Sequence, residues 1–137
     1  MEFSFSIPME ISILENWLQF YKKFIQGRLL MREEITEFGK VFYYDYPNYH
    51  FALYIYDDDD ETIYLSNVKV DTEARGKGFG NKILEIAEAE ARKRNVSIIC
   101  LKCLITSWVH DWYKKHGFED LSLDVDEDYI WMKKDLD

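Results

Sequence analysis

Apolar residues recur along this chain with two periods, and the switches between them divide it into elements. Phe3, Phe5 and Ile7 alternate with polar neighbours, which predicts a short first strand. Ile11, Leu14, Trp17, Leu18, Tyr21 and Ile25 then fall on one face of a 3.6-residue repeat. They predict a helix that starts after Ser6 and Pro8, runs to about Gln26 and ends or kinks at Gly27. The stretch from Leu29 to Phe38 reads as a second helical piece, stopped by Gly39. Lys40 to Tyr46 and Tyr49 to Tyr56 are strand-like and parted by the turn signal Pro47-Asn48. An acidic connection, Asp57 to Glu61, leads into a strand from Thr62 to Val70. Three strands so joined predict an antiparallel meander.

The second half alternates differently. Ile83, Leu84, Ala87 and Ala91 mark one face of a helix from about Gly78 to Arg94, and Asn95 ends it. Val96 to Leu104 is the next strand, parallel to the strand before the helix by the crossover rule. Ser107 can cap a short helix that Gly117 ends. Leu121, Leu123 and Val125 alternate, Asp126-Glu127-Asp128 makes a turn, and Tyr129 to Lys133 is a last strand. The order of elements predicts an α/β (α+β) fold, with a mixed, mostly antiparallel central sheet and helices on both faces. All of residues 1–137 are expected to form one domain, since this length holds one ordinary core.

Composition narrows the function. A formal net charge of −9, from 26 acidic and 17 basic residues, argues against nonspecific nucleic-acid binding and favours cationic partners. No basic, apolar leader opens the chain and no run of about 18 apolar residues occurs, so a cytoplasmic protein without a membrane partner is expected. Cys100 and Cys103 have C-x-x-C spacing. In a strand, however, residues three apart point to opposite faces, and no second Cys/His pair completes a metal site. Buried thiols and no metal are expected. Asp57-Asp58-Asp59-Asp60-Glu61 reads as a solvated loop.

The chemistry concentrates after Val70. Arg75-Gly76-Lys77-Gly78-Phe79-Gly80-Asn81 joins the strand to the helix, with glycines at alternate positions. Glycine lets a backbone approach a ligand closely, and the first turn of a helix offers N–H groups without intrahelical partners. The helix dipole adds positive potential there, so the loop is suited to a phosphate or pyrophosphate. Neither the P-loop pattern nor G-x-G-x-x-G is met. The stretch resembles the acetyl-CoA motif of the GNAT superfamily of N-acetyltransferases: Arg or Gln, two residues, Gly, one residue, then Gly or Ala. Arg75, Gly78 and Gly80 fill it. Tyr113, four residues before Gly117-Phe118, matches a second feature of that superfamily.

The resemblance implies acetyl-CoA as cosubstrate and transfer to a primary amine through a ternary complex. It implies that backbone at Val68, Lys69 and Val70 holds the pantetheine arm, where neighbouring strands splay. The pyrophosphate would lie on Arg75, Gly76, Lys77, Gly78, Phe79, Gly80 and Asn81. Tyr113 would protonate the leaving thiolate. Thr106 and Val109 stand where many members have Asn and Ala, and Tyr64 and Ser66 stand where a basic Glu is often found. The general base is left open among a water chain, His50, Glu61 and Asp71. Two rival classes also stay open: a CoA-binding module without catalysis, and an acidic interaction protein. The acceptor's identity and the choice of monomer or homodimer are not legible in the sequence.

Overall fold

The computed structural model describes residues 30–136. Seven strands among them form one sheet: β1 (Leu30–Ile35), β2 (Gly39–Asp45), β3 (Tyr49–Tyr56), β4 (Thr62–Val70), β5 (Ile98–Leu104), β6 (Glu119–Leu123) and β7 (Tyr129–Asp135), in the spatial order β1-β2-β3-β4-β5-β7-β6. Neighbouring strands pair antiparallel except β4 and β5, which are parallel. Their crossover is helix α1 (Phe79–Lys93), and α2 (Trp108–Lys115) follows β5. The expected mixed, mostly antiparallel α+β sheet is thus present. The strand and long helix expected before Gly27 lie outside the described residues.

Alternation decides which face is covered. On β5, Ile99, Leu101 and Cys103 share a face, and the register sets them beside Lys134, Met132 and Ile130 of β7. Ile63 and Leu65 of β4, Phe51 and Leu53 of β3, and Phe42 and Tyr44 of β2 continue that buried floor. Helix α1 lays Ile83, Leu84, Ala87 and Ala91 on it, and α2 lays Tyr113 on it. Fully burying a side chain such as Ile83 or Leu84 contributes about 1.5–3 kcal/mol. Amphipathic packing of this kind, more than propensity, holds the helix. Glu88 ties the outer side of α1 to Lys134 of β7 at 2.7 Å. The opposite face carries Tyr54, Tyr64, Lys102 and Trp131. Cys100 and Cys103 point to opposite faces, and both are buried and unbridged.

One expectation fails. Leu29 to Phe38 is not a helical piece: Leu30–Ile35 pairs along its whole length with β2, from Leu30↔Asp45 to Ile35↔Lys40. Arg32, Glu33 and Glu34 are good helix formers, but such preferences amount to tenths of a kcal/mol per residue, and tertiary context overrides them. Here a six-residue ladder is available. The Thr36 hydroxyl closes the turn by accepting the N–H groups of Phe38 and Gly39 at 3.3 and 3.1 Å. Gly39 stops no helix. It opens β2, where a Cβ would collide with the Ile55 carbonyl oxygen. The terminal hairpin is present: β6, which carries the alternating Leu121 and Leu123, pairs antiparallel with β7 as an edge strand exposed along its length.

Buried phenols make the fold sensitive to alkali. Burial, and next the Glu90 carboxylate, push Tyr44 up to about 12; burial, and next Cys103, do the same for Tyr113. An unfolded tyrosine ionises near 10, so between pH 10 and 12 the native state holds protons that the unfolded state releases. That stabilisation is complete below pH 10 and is lost as pH rises through the native values. The melting temperature is expected to drop steeply between pH 10 and 12 along with the tyrosinate absorbance change. A flat melting temperature across that window would contradict the burial of these hydroxyls.

Candidate functional site

The site begins where the sheet comes apart. β4 and β5 pair only through Thr62↔Ile98, Ile63↔Ile99 and Tyr64↔Cys100. β5 continues beside β7 to Leu104, while β4 continues beside β3 to Val70. A bulge turns β4 aside: between the pairs His50↔Lys69 and Ala52↔Ser66, Asn67 and Val68 face the single residue Phe51, and Asn67 has φ +54°. Bulges bend a strand and re-aim its groups. The backbone of β4 from Leu65 to Val70 therefore presents its β5 side to an open cleft rather than to a ladder.

The chain then makes one turn of 3-10 helix, Thr72–Ala74, and enters the glycine loop. Gly76 and Gly78 have φ of +80° and +84°, a conformation that side chains resist, and a Cβ at either would meet only open space. Gly78 caps α1 with no side-chain hydrogen bond, and the first intrahelical bond runs from the Lys82 N–H to the Gly78 carbonyl at 3.2 Å. The N–H groups of Phe79, Gly80 and Asn81 thus lack intrahelical acceptors. No acidic residue occupies that first turn. Arg75 is exposed, and its Nε donates to the Val70 carbonyl at 3.3 Å.

Two clefts meet here. The first, about 630 Å³, is lined by Val68, Lys69, Val70, Arg75, Gly76, Gly78, Phe79, Gly80 and Asn81, with α2 opposite. The sequence-predicted binding residues are therefore brought together, except Lys77, which is exposed outside the cleft wall. The second cleft, about 600 Å³, is walled by Tyr54, Tyr56, Tyr64 and Trp131 of the other face and reaches through the seam to Leu65, Leu101 and Cys103. Val68, Val109 and Tyr113 belong to both.

Tyr113 is 8% exposed at that junction. Its ring is fixed edge-on by Trp112 and Phe118, each with centroids 5.3 Å away. Among the described residues nothing hydrogen-bonds its hydroxyl. A buried hydroxyl without a partner is unusual, and here it sits where the clefts open on each other. With its pKa near 12 it stays protonated through the physiological range, able to donate a proton and not to take one.

Sequence reasoning missed Trp108 and Trp112, which line the first cleft from α2. Their i, i+4 spacing was the available signal. Trp112 also explains Gly80, since a Cβ there would stand 3.0 and 3.1 Å from its ring carbons. The same ring stacks on His116 at 4.0 Å. His116 joins the two helices: Nδ1 donates to the Trp112 carbonyl at 2.8 Å, and Nε2 lies 2.8 Å from the Asn81 carboxamide. A neutral ring accepts there from the amide N–H, and a protonated ring donates to its oxygen. His50, Glu61 and Asp71 line neither cleft, whereas Tyr64 and Ser66 line the second. The Asp57–Glu61 loop is largely exposed. Among the described residues no cluster of His, Cys, Asp or Glu could hold a metal, and no helix is long and apolar enough to cross a membrane.

Comparison with known proteins agrees with this geometry. Solved structures of the same fold include the IAA acetyltransferase of Bacillus cereus, at 16% identity and TM-score 0.60 over 80% of this chain and 100% of that one. A GNAT family acetyltransferase from Elizabethkingia anophelis with acetyl-CoA bound matches at 14% identity and TM-score 0.59, over 98% of this chain and 95% of that one. Ard1 from Thermoplasma volcanium matches at 16% identity and TM-score 0.59, over 70% of each chain. No curated protein sequence matches the chain. The sequence model of the acetyltransferase (GNAT) domain matches residues 39–120, from β2 through the glycine loop and Tyr113 to β6. That span is more than half of the chain and contains both clefts' junction, and the protein belongs to the GNAT acetyltransferase family.

Proposed function

We propose that the protein moves an acetyl group from acetyl-CoA directly to a primary amine. The observation that carries this reading is the meeting of two clefts at Tyr113, one of them ending on an uncapped helix N-terminus. Family membership supplies acyl transfer from acetyl-CoA; the residues here fit that cosubstrate. Its pyrophosphate suits the N–H groups at Phe79, Gly80 and Asn81 with Arg75 beside them, and its pantetheine arm suits the unpaired edge of β4. When bound, acetyl-CoA supplies an activated thioester at the junction.

The chain's own groups then have defined tasks. Main-chain N–H on the open side of β4, near Val68 and Val70, polarises the thioester carbonyl. The amine, entering from the second cleft, forms the N–C bond as the C–S bond breaks. The Tyr113 hydroxyl gives its proton to the sulfur and regains one from solvent. The amine's own proton leaves through water, since His50, Glu61 and Asp71 stand off the cleft. A second reading, a CoA-binding module, stands beside this one, since none of those three candidate bases lines either cleft. Labelled acetyl-CoA offered with a panel of amines separates the two: a transferase labels an acceptor, whereas a module binds CoA and labels none.

An acidic protein also steers its acceptor. The apparent KM for the best amine is expected to rise several-fold between low and about 0.5 M salt, because screening shortens the reach of charge attraction. A KM unchanged by salt would indicate a neutral or apolar acceptor.

A further inference from the structure

Trp108 is the first residue of α2 and is 74% exposed, yet it lines the first cleft. Its backbone is anchored to the end of β5: the Ser107 hydroxyl donates to the Leu104 carbonyl at 2.8 Å, and the Ser107 N–H donates to the same oxygen at 3.2 Å. Among the described residues no ring stacks on its indole and nothing hydrogen-bonds its N–H. Trp112, one turn further on, is the opposite case. Its ring lies close over Gly80 and stacks on His116 at 4.0 Å. Of the two clefts Trp108 lines only the first, while Val109 and Tyr113 belong to both. A single exposed apolar side chain on an ordinary surface needs no explanation. An uncovered indole in the wall of a cleft does.

A large ring left open on an anchored backbone is a platform for a flat partner. Stacking on such a face binds a base without demanding a particular hydrogen-bond pattern. Resting on the reading that this cleft holds acetyl-CoA, we propose that Trp108 stacks the adenine ring of the cosubstrate and so selects thioesters that carry the nucleotide over those that end at phosphopantetheine. Adenine is the one aromatic part of that molecule. The pyrophosphate, seated at the N–H groups of Phe79, Gly80 and Asn81, lies beside Trp112, because the Trp112 ring covers Gly80. Trp108 is one turn away from Trp112, roughly 6 Å along the α2 axis, a step that the ribose between pyrophosphate and adenine can span. The two ends of the cosubstrate are thereby divided. The thioester meets Tyr113 where the clefts join, and the base meets Trp108 outside the second cleft.

The test measures binding by calorimetry with the full chain and no acceptor. The Kd for acetyl-CoA is expected to lie about tenfold or more below that for S-acetyl-4′-phosphopantetheine, which ends at its first phosphate and has no adenosine. Trp108→Ala should raise the Kd for acetyl-CoA about tenfold and move that for the truncated thioester by no more than about a factor of two. Trp108→Phe keeps a ring face and should recover most of the lost affinity. A merely structural role for the side chain would move both ligands together, and its exposure lets both variants fold. A parent that binds the two thioesters equally overturns the proposal while the cofactor cleft still stands. So does a Trp108→Ala variant that loses the same factor with both, or loses nothing with acetyl-CoA. A parent that binds neither thioester removes the cofactor reading and this one together.

Discussion

Tyr113→Phe is expected to lower kcat about 10²-fold while the KM for acetyl-CoA stays within a few-fold. General acid catalysis contributes typically 10²–10⁴-fold, and the phenol's environment decides where in that range this one falls. Burial pushes the hydroxyl up to about 12. A free thiol of the cysteine kind ionises near 8.5, so this phenol is the weaker acid, and complete transfer to a solvated thiolate would run uphill. The same apolar junction raises the basicity of a thiolate formed within it, because desolvation disfavours any anion. Donation is then concerted with C–S cleavage, and the gain sits at the low end. Phenylalanine keeps the edge-on contacts with Trp112 and Phe118. It also orphans no partner, because no described residue bonds the hydroxyl, so stability should hold. Single-turnover rates provide the check, since they exclude slow product release as a mask. An unchanged single-turnover rate means that Tyr113 only packs.

Gly78→Val should raise the Kd for acetyl-CoA by ~100-fold or more and abolish the ligand's stabilising effect. Saturation at about 100 times Kd stabilises a native protein by about 2.7 kcal/mol, and that increment is what the variant should lose. Gly78 has φ +84° and a Cβ there meets no protein atom, so the substitution introduces backbone strain of about 1–2 kcal/mol without a clash. The variant should therefore fold with a modestly lower melting temperature. What it cannot do is leave the space over the α1 N-terminus empty. Gly78→Ala carries the same dihedral strain with far less bulk and should retain part of the binding. If the valine variant shows the full thermal shift with acetyl-CoA, the pyrophosphate does not lie on this loop.

The parts of the molecule that were legible in the sequence are those where local chemistry and the fold agree. The meander from β2 to β4 is bounded by Pro47-Asn48 and by the acidic loop, and the observed strands match it to within a residue. The helix after the glycine loop is marked by four small or aliphatic residues on one face, and all four are buried. The glycine motif names a backbone conformation, and backbone conformation follows from composition at short range. What could not be read depends on distant partners. β1 is a strand because β2 lies beside it, a fact that Arg32-Glu33-Glu34 does not announce. Trp112 matters because Gly80, far away in sequence, leaves room for its ring. The aromatic wall of the second cleft needs residues from β3, β4 and β7 at once, and no window along the chain contains them.

The three-pair junction between β4 and β5 also sets how the sheet can deform. Everything from β1 to β4 forms one continuous ladder, and everything from β5 to β7 forms another. Between them runs a seam stitched only at the Thr62–Tyr64 end. Like a book bound at one corner of its spine, such a sheet flexes most easily by opening and closing the far end of the seam, where the two clefts meet. A linear molecule lying along β4 would bridge that gap and couple the two leaves. Its departure would uncouple them again, so the stiffness of the sheet itself would change with each turnover.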